Sequence, residues 1–325
     1  MPRNDDNEKR KMISDIPAEE KKINLKKDLP LTLGISAIYL ILSYFLVGFK
    51  TDQLVLIAIF NALYYLTSTT RKFIIGFSIF IVYWIIYDYM KAFPNYNYNP
   101  VHIADLYNFE KSVFGISKGA EKITPNEYWL LHHNSFLDVL TGFFYLMWVP
   151  VPLAFAAFLF FVKERRNFLN FLLTFVWVNL LGFVVYYLYP AAPPWYVQEH
   201  GFNFIANTPG NTAGLVRFDN FFGIELFKSI YSKGSNVFAA MPSLHSAYPL
   251  IVVYYGAKGK FRKANVFFIT VMIGIWFAAV YTSHHYVADV LAGITTAMIG
   301  IFSYNWLKER KPLANFIEKM LKLIS

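Results

Sequence analysis

No cysteine occurs anywhere in the chain. Disulfides, thiolate nucleophiles and thiolate-bound metals are excluded at once, and the redox state of the compartment is left open. Charge is sparse: Asp, Glu, Lys and Arg make up 16% of the 325 residues, against about 25% in ordinary soluble domains. No His-Glu-x-x-His or comparable ligand set is present. A metal-dependent membrane hydrolase would have little more to build on than a His and an Asp four residues apart, so neither metal nor cofactor is expected. No internal repeat is visible, and the polar cluster described below lies at one edge of the apolar runs. Both points disfavour a transporter or channel. Nor does an apolar stretch with a small-residue cleavage site precede the first apolar run, so no signal peptide is expected.

What is present is apolar. Hydrophobic residues make up 56% of the chain and aromatics 19%, with a mean hydropathy of +0.37. A soluble core cannot hold that much apolar surface, so lipid must solvate part of it. A net charge of +9 could suggest a nucleic-acid partner, but the basic residues form short clusters between apolar stretches, as membrane topology requires. No nucleic acid is expected. Crossing about 30 Å of hydrocarbon takes about 20 helical residues. Windows of that size give eight candidate spans: 31–49, 54–70, 73–92, 136–161, 167–189, 242–257, 266–283 and 286–306. The second and sixth are short, so the number of true crossings lies between six and eight.

The chain therefore reads as an all-α polytopic membrane protein. With a cytoplasmic N-terminus, the inner segments hold 22 of the 30 Lys and Arg residues, and the positive-inside rule then puts both termini in the cytoplasm. Residues 1–28 alternate charges and predict a disordered cytoplasmic tail. Residues 29–93 hold the N-terminal transmembrane helices, and 94–135 form an extracytoplasmic interfacial segment. Residues 136–306 form a transmembrane core that includes a long outer loop, 190–241, rich in Pro, Gly and Asn. Residues 307–325 place Leu313, Phe316, Ile317, Met320, Leu321 and Ile324 at helical spacing, which predicts an amphipathic helix on the inner leaflet.

Polar residues converge on the outer edge. The sixth span opens Met241-Pro242-Ser243-Leu244-His245-Ser246, and the eighth follows Ser283-His284-His285-Tyr286-Val287-Ala288-Asp289. Asp289 is four residues beyond His285, so the spacing predicts that both share one helical face. A carboxylate there fixes the imidazole tautomer and raises the basicity of Nε2. The pattern suits phosphoryl chemistry. His285 attacks phosphorus in line, Asp289 stabilises the charge growing on the ring, and His245 exchanges a proton with the leaving and incoming groups. An ionisable group such as Asp289 inside an apolar span is costly and marks function. Ser243, Ser283, His284 and Tyr286 are candidates for substrate contact. His132 and His133 read as water-satisfied interfacial groups, and Asp88 and Asp138 as helix-packing groups.

These residues resemble the type 2 phosphatidic acid phosphatase superfamily. Its second motif, Pro-Ser-x-His, is matched by Pro242, Ser243 and His245. The end of its third, His-x-x-x-Asp, is matched by His285 and Asp289. The resemblance implies a six-helix core over roughly 136–306, with about two extra transmembrane helices before it. It also implies His285 as nucleophile, Asp289 as its orienting carboxylate and His245 as acid and base. The run Tyr189-Pro190-Ala191-Ala192-Pro193-Pro194-Trp195-Tyr196, together with Pro242–His245 and His284-His285-Tyr286, resembles the inositol phosphorylceramide synthase (aureobasidin-resistance) branch. Asn126-Glu127-Tyr128-Trp129 and Gly142-Phe143-Phe144-Tyr145 resemble its bacterial members. The bacterial likeness implies an inner-membrane enzyme, and the cytoplasmic N-terminus puts its site on the extracytoplasmic face. The enzyme would move a phospho-alcohol head group from a phosphatidylinositol-like donor to a ceramide-like acceptor, with Tyr189 and Trp195 in the substrate region. The alternative is a lipid phosphatase using the same triad on phosphatidic acid or a polyprenyl pyrophosphate. The chain departs from the superfamily at its cations: Gly182, Tyr189 and Ala279 stand where Lys, Arg and Arg are required. Arg217, in the outer loop, is the replacement candidate.

Overall fold

Helix α1 (Leu25–Val47) buries Thr32, Ser36 and Ser43 and exposes Leu31, Ile35, Ile38, Ile41 and Phe45. That inversion of the soluble pattern is what hydrocarbon solvent selects, since polar groups must find partners inside the protein. Thr32 pairs with the Tyr65 hydroxyl at 2.9 Å, and Asn61 donates to Ser36 at 3.2 Å. The chain is an integral membrane protein.

A computed structural model describes residues 24–232, 234 and 236–325. The tail expected over 1–28 lies, up to residue 23, outside the described residues; Leu25–Asp28 already belong to α1. The chain divides into two compact units, one running to Ser78 and including Lys319–Ser325, the other Ile79–Glu318. After α1 come α2 (Thr51–Leu66), α3 (Ser68–Tyr89), α4 (Ala104–Phe114), a hairpin of β1 (Ile116–Lys118) and β2 (Glu121–Ile123), and α5 (Pro125–Leu131). Then follow α6 (Ser135–Leu146), α7 (Pro150–Phe161), α8 (Arg165–Leu188), α9 (Pro194–His200), α10 (Val216–Phe222) and α11 (Leu226–Tyr231). The chain closes with α12 (Leu244–Lys258), α13 (Arg262–Tyr281), α14 (Val287–Leu307) and α15 (Lys311–Ile324).

Every expected span falls on a helix, with differences that have local causes. Among the described residues, α1, α8, α13, α14 and the stretch Ser68–Ala92 are long and apolar enough to cross a membrane. The expected span 136–161 is instead two helices, α6 and α7, meeting at 41°. Pro150 and Pro152 lack the amide protons that would carry the helix through the junction. Helix α2 has 16 residues and α12 only 15. After α1 and α2, the apolar helices of the core are α3, the α6–α7 pair, α8, α12, α13 and α14.

Within the larger unit the short α12 packs against α7, α8, α13 and α14. Buried polar pairs tie this bundle. Tyr248 donates to Asn179 at 2.6 Å, Tyr255 meets Thr174 at 2.7 Å, and Tyr304 donates to Asn170 at 2.7 Å. Such bonds, with close backbone approach at small residues, hold helices together where lipid removes the hydrophobic drive. The closest approach is at Gly293 of α14, where a β-carbon would run into the Ser243 carbonyl oxygen.

The segment expected to lie along the interface buttresses the bundle. Its Asn95, Glu110 and Asn126 are all fully buried. Helix α5 starts at a capping box: Thr124 N–H donates to Glu127 at 2.7 Å, and Glu127 N–H donates back to Thr124 at 3.2 Å. Pro125 follows at the first helical position, where its missing N–H costs nothing. Helix α15 covers Lys311–Ile324, with Ile317 and Ile324 buried.

Candidate active site

Two helix starts carry the site. Ser243 caps α12: its hydroxyl oxygen accepts the Ser246 N–H at 3.3 Å and the Ser246 hydroxyl at 3.0 Å. That satisfies an amide of the first turn and sets His245 at the mouth of the helix. The other carrier is the turn Thr282–Tyr286 between α13 and α14. The Ala279 carbonyl accepts the N–H of both His284, at 3.1 Å, and His285, at 3.0 Å. Asn126 donates to the carbonyls of Val280, at 2.8 Å, and His285, at 2.9 Å. The two helix starts are joined where Ser243 N–H donates to the Asp289 carbonyl at 2.9 Å.

His285 therefore precedes α14 instead of sharing a helical face with Asp289. Ser283 adopts φ of 59°, and Tyr286, extended at φ −70° and ψ 161°, is the N-cap. Asp289 is spent on that cap, accepting the Tyr286 N–H at 2.8 Å. The His285 Nδ1 to Asp289 Oδ2 separation is 3.7 Å, longer than a hydrogen bond. His285 Nδ1 and Asp289 Oδ1 are both buried without another partner among the described residues. On its other edge, His285 Nε2 meets His245 Nδ1 at 3.0 Å.

The histidine pair opens on a cavity of about 200 Å³, with Asp289 behind His285 and outside its lining. Tyr145, Trp148, Tyr186, Trp195, Asn211, Tyr231, Asn236 and His284 line it further. The Tyr145 hydroxyl is 3.4 Å from His245 Nδ1, and the Trp148 ring lies edge-on to His245 with centroids 4.5 Å apart. Asn236 Oδ1 and His284 Nε2 are buried and without partners among the described residues. No Lys or Arg lines the cavity among the described residues; Lys233, between Tyr231 and Gly234 in sequence, lies outside them.

Of the residues expected to touch substrate, His284 and Trp195 line the cavity. Four do not. Arg217 donates through Nε to Asp138 Oδ1 at 2.6 Å, which also accepts the Tyr281 hydroxyl at 2.8 Å. A buried carboxylate demands such a counter-charge; Arg217 serves Asp138 through Nε and does not line the cavity. Ser243 is used as the helix cap. Tyr189 stacks on His102 with ring centroids 3.7 Å apart. Tyr286 packs among Leu106, Ala191 and Ala288. The missing cations have packing causes in two cases: at Gly182 any side chain would meet Leu244, and Ala279 is fully buried. Among the expected bland residues, His132 Nδ1 lies 2.8 Å from the Tyr128 carbonyl, and His133 Nδ1 lies 3.4 Å from Asp138.

Sequence reasoning missed the phenols of the lining and the buried polar supports. Glu110 on α4 accepts the Val287 N–H at 2.9 Å and the Ala288 N–H at 3.1 Å. Asn95 donates to the carbonyls of Tyr186, at 2.9 Å, and Phe238, at 2.8 Å. The outer loop is tied to the histidine turn, with Trp195 N–H donating to the Ser283 carbonyl at 3.0 Å.

A family model described as the PAP2 superfamily matches residues 119–303. The chain belongs to the PAP2 superfamily. The phosphoinositol dihydroceramide synthase of Bacteroides thetaiotaomicron is 44% identical over 302 residues, covering 92% of this chain and 99% of that protein. The catalytic subunit of inositol phosphorylceramide synthase from Saccharomyces cerevisiae is 33% identical over 174 residues, 53% of this chain and 43% of the yeast protein. The inositol phosphorylceramide synthase of Candida albicans is 28% identical over 207 residues, again 43% of that protein. The chain thus spans under half the length of these two fungal relatives, and all but the full length of the bacterial one. No solved structure matches this PAP2 chain.

Proposed function

We propose that this protein transfers phosphoinositol from phosphatidylinositol to a ceramide-like acceptor through a phosphohistidine on His285. The observation that carries the reading is the pair His245–His285, at 3.0 Å, at a cavity whose described lining holds no Lys or Arg. A phosphomonoester carries close to two negative charges near neutral pH, and a lipid phosphodiester carries one. In this lining the charge that can meet the phosphate is one proton on His245, taken up with the bound lipid, and one charge suits the diester. The 44% identity to a phosphoinositol dihydroceramide synthase supports phosphoinositol as the group moved and a ceramide as its acceptor.

The chemistry follows from the two nitrogen edges. The phosphoryl group takes the place of the contact between the imidazoles. His285 Nε2 attacks phosphorus, the bond to the diacylglycerol oxygen breaks, and protonated His245 gives that oxygen its proton. The phosphorylated ring keeps its proton on Nδ1 and becomes cationic. Asp289 closes on that N–H and stabilises the charge. In the second half, neutral His245 takes the proton of the acceptor hydroxyl, the oxygen attacks phosphorus, and the N–P bond breaks to restore His285. The distribution of Lys and Arg supports both termini in the cytoplasm, with the site facing outward, in the inner membrane of a bacterium.

The test uses purified protein with phosphatidylinositol or phosphatidic acid, with and without ceramide, and identifies products by mass. Diacylglycerol and inositol phosphorylceramide should form together, only when phosphatidylinositol and ceramide are both present. Faster phosphate release from phosphatidic acid, indifferent to ceramide, would instead make the protein a phosphatase.

A further inference from the structure

Among the described residues, Glu110 is the one carboxylate that reaches the nucleophile's turn from outside the matched family segment. It lies on α4, before residue 119 where the family match begins, and it is fully buried. Its two oxygens are divided between consecutive amides, Val287 N–H at 2.9 Å and Ala288 N–H at 3.1 Å. Those are the first two residues of α14, so Glu110 and Asp289 together take up the free amides of one helix start. Asp289 holds the N-cap amide at 2.8 Å, and Glu110 holds the next two. A buried carboxylate at a helix N-terminus complements the helix dipole, and two of them place a second negative charge behind His285.

The geometry points to Glu110 as a positioning residue for phosphoryl transfer, its charged carboxylate fixing the first turn of α14 and adding to Asp289's stabilisation of the phosphorylated His285 ring. The inference rests on the phosphohistidine reading above. In the resting structure His285 Nδ1 is 3.7 Å from Asp289, so the turn must be set within a fraction of an ångström for that bond to close. Clamps act from three sides: Ala279 on the His285 amide, Asn126 on its carbonyl, and Glu110 on the two residues after Tyr286. Only the last is ionisable.

Burial pushes the Glu110 carboxyl up to about 7, with Asp289 adding to the rise and the two amide bonds opposing it. The groups around it are Asp289 and Tyr286 at the start of α14. Glu121 and Lys122 lie on β2, which also packs on α4. On its own helix are Lys111 and Tyr107, whose hydroxyl Glu127 accepts at 2.8 Å. Because the folded value lies above the ordinary 4.5, the folded protein binds this proton more tightly than the unfolded chain. Lowering the pH through 7 should therefore stabilise the fold while removing the charge that turnover needs.

The experiment compares full-length wild type, Glu110→Gln and Glu110→Asp in one detergent or nanodisc preparation. Gln keeps a carbonyl acceptor for one amide but no charge; Asp keeps the charge but is shorter by a methylene. The expected result for Gln is kcat lowered on the order of tenfold, the effect of about one pKa unit on the nucleophile, with KM for phosphatidylinositol within about twofold. Wild type should lose kcat on the acid side with a midpoint near 7, and Gln should lack that limb. Asp should retain the limb with an intermediate kcat. The thermal midpoint of wild type relative to Gln should rise as the pH falls through that range. A Gln variant with wild-type kcat and an unchanged acid limb would overturn the inference. So would a loss confined to KM and thermal stability, or an Asp variant no better than Gln. The mass of the His285 peptide after donor alone is read separately: an absent adduct counts against the phosphohistidine reading, while the Glu110 test stands on kcat and pH.

Discussion

At the scale of single residues, the roles of the site are separable by how much each substitution removes. His285→Ala should abolish transfer, since no covalent intermediate can form; any activity above a trace would favour direct transfer. His245→Ala should slow both half-reactions by about 10²–10⁴-fold, the usual worth of general acid–base catalysis. Asp289→Asn keeps the shape of the α14 cap, so loss of turnover with a normal elution profile would place its effect in charge. Lys233→Gln should leave phosphatidylinositol turnover near wild type. A loss matching that of His245→Ala would put a second cation in the site and favour a dianionic donor. That His245, His285 and Asp289 come together was legible because they sit in short spaced motifs. Their geometry was misread, because nothing in the residue spacing says that α14 begins at Val287, just past His285. The lining phenols were illegible for another reason: with 23 tyrosines in the chain, sequence alone does not separate Tyr145 or Tyr231 from the lipid-facing ones.

At the scale of elements, the site depends on α12 and α14 staying in backbone contact. Gly293 is the point of closest approach, and the atom in its way, the Ser243 carbonyl oxygen, belongs to the chain that positions His245. Backbone yields poorly, so Gly293→Ala should cost about 1–3 kcal/mol of stability and lower kcat together with the thermal midpoint. A variant with both unchanged would show that the helices can part harmlessly. The spans were readable as apolar runs, and the outer loop as a long Pro- and Gly-rich segment. The break between α6 and α7 carried a signal in Pro150 and Pro152, yet apolar composition on both sides read as one continuous span. The buttress over 94–135 was the least legible element. Its Asn95, Glu110 and Asn126 look like ordinary interfacial polar residues until their partners, all backbone groups far away in sequence, are in place.

At the scale of the whole molecule, orientation decides which leaflet supplies the lipids. With no native cysteine, His200→Cys and Asn220→Cys should label with an impermeant thiol reagent in intact spheroplasts. Glu164→Cys should label only after the membrane is opened. The reverse pattern would turn the site toward the cytoplasm. The length of α12 then has a mechanical consequence. Fifteen residues rise about 22 Å, against about 30 Å of hydrocarbon. If Lys258 anchors at the near surface, His245 in the first turn at the far end sits roughly 10 Å below the opposite boundary. Enclosed by α7, α8, α13 and α14, the short helix leaves the reacting phosphates to be drawn down to meet the histidines. Membrane thickness thereby becomes a rate variable, because each added ångström of acyl chain deepens that descent at a cost of a fraction of a kcal/mol. Reconstituted in bilayers of increasing chain length with one fixed pair of substrates, the protein should turn over more slowly as the host lipid lengthens. Equal rates across the series would mean that the short helix imposes no such descent.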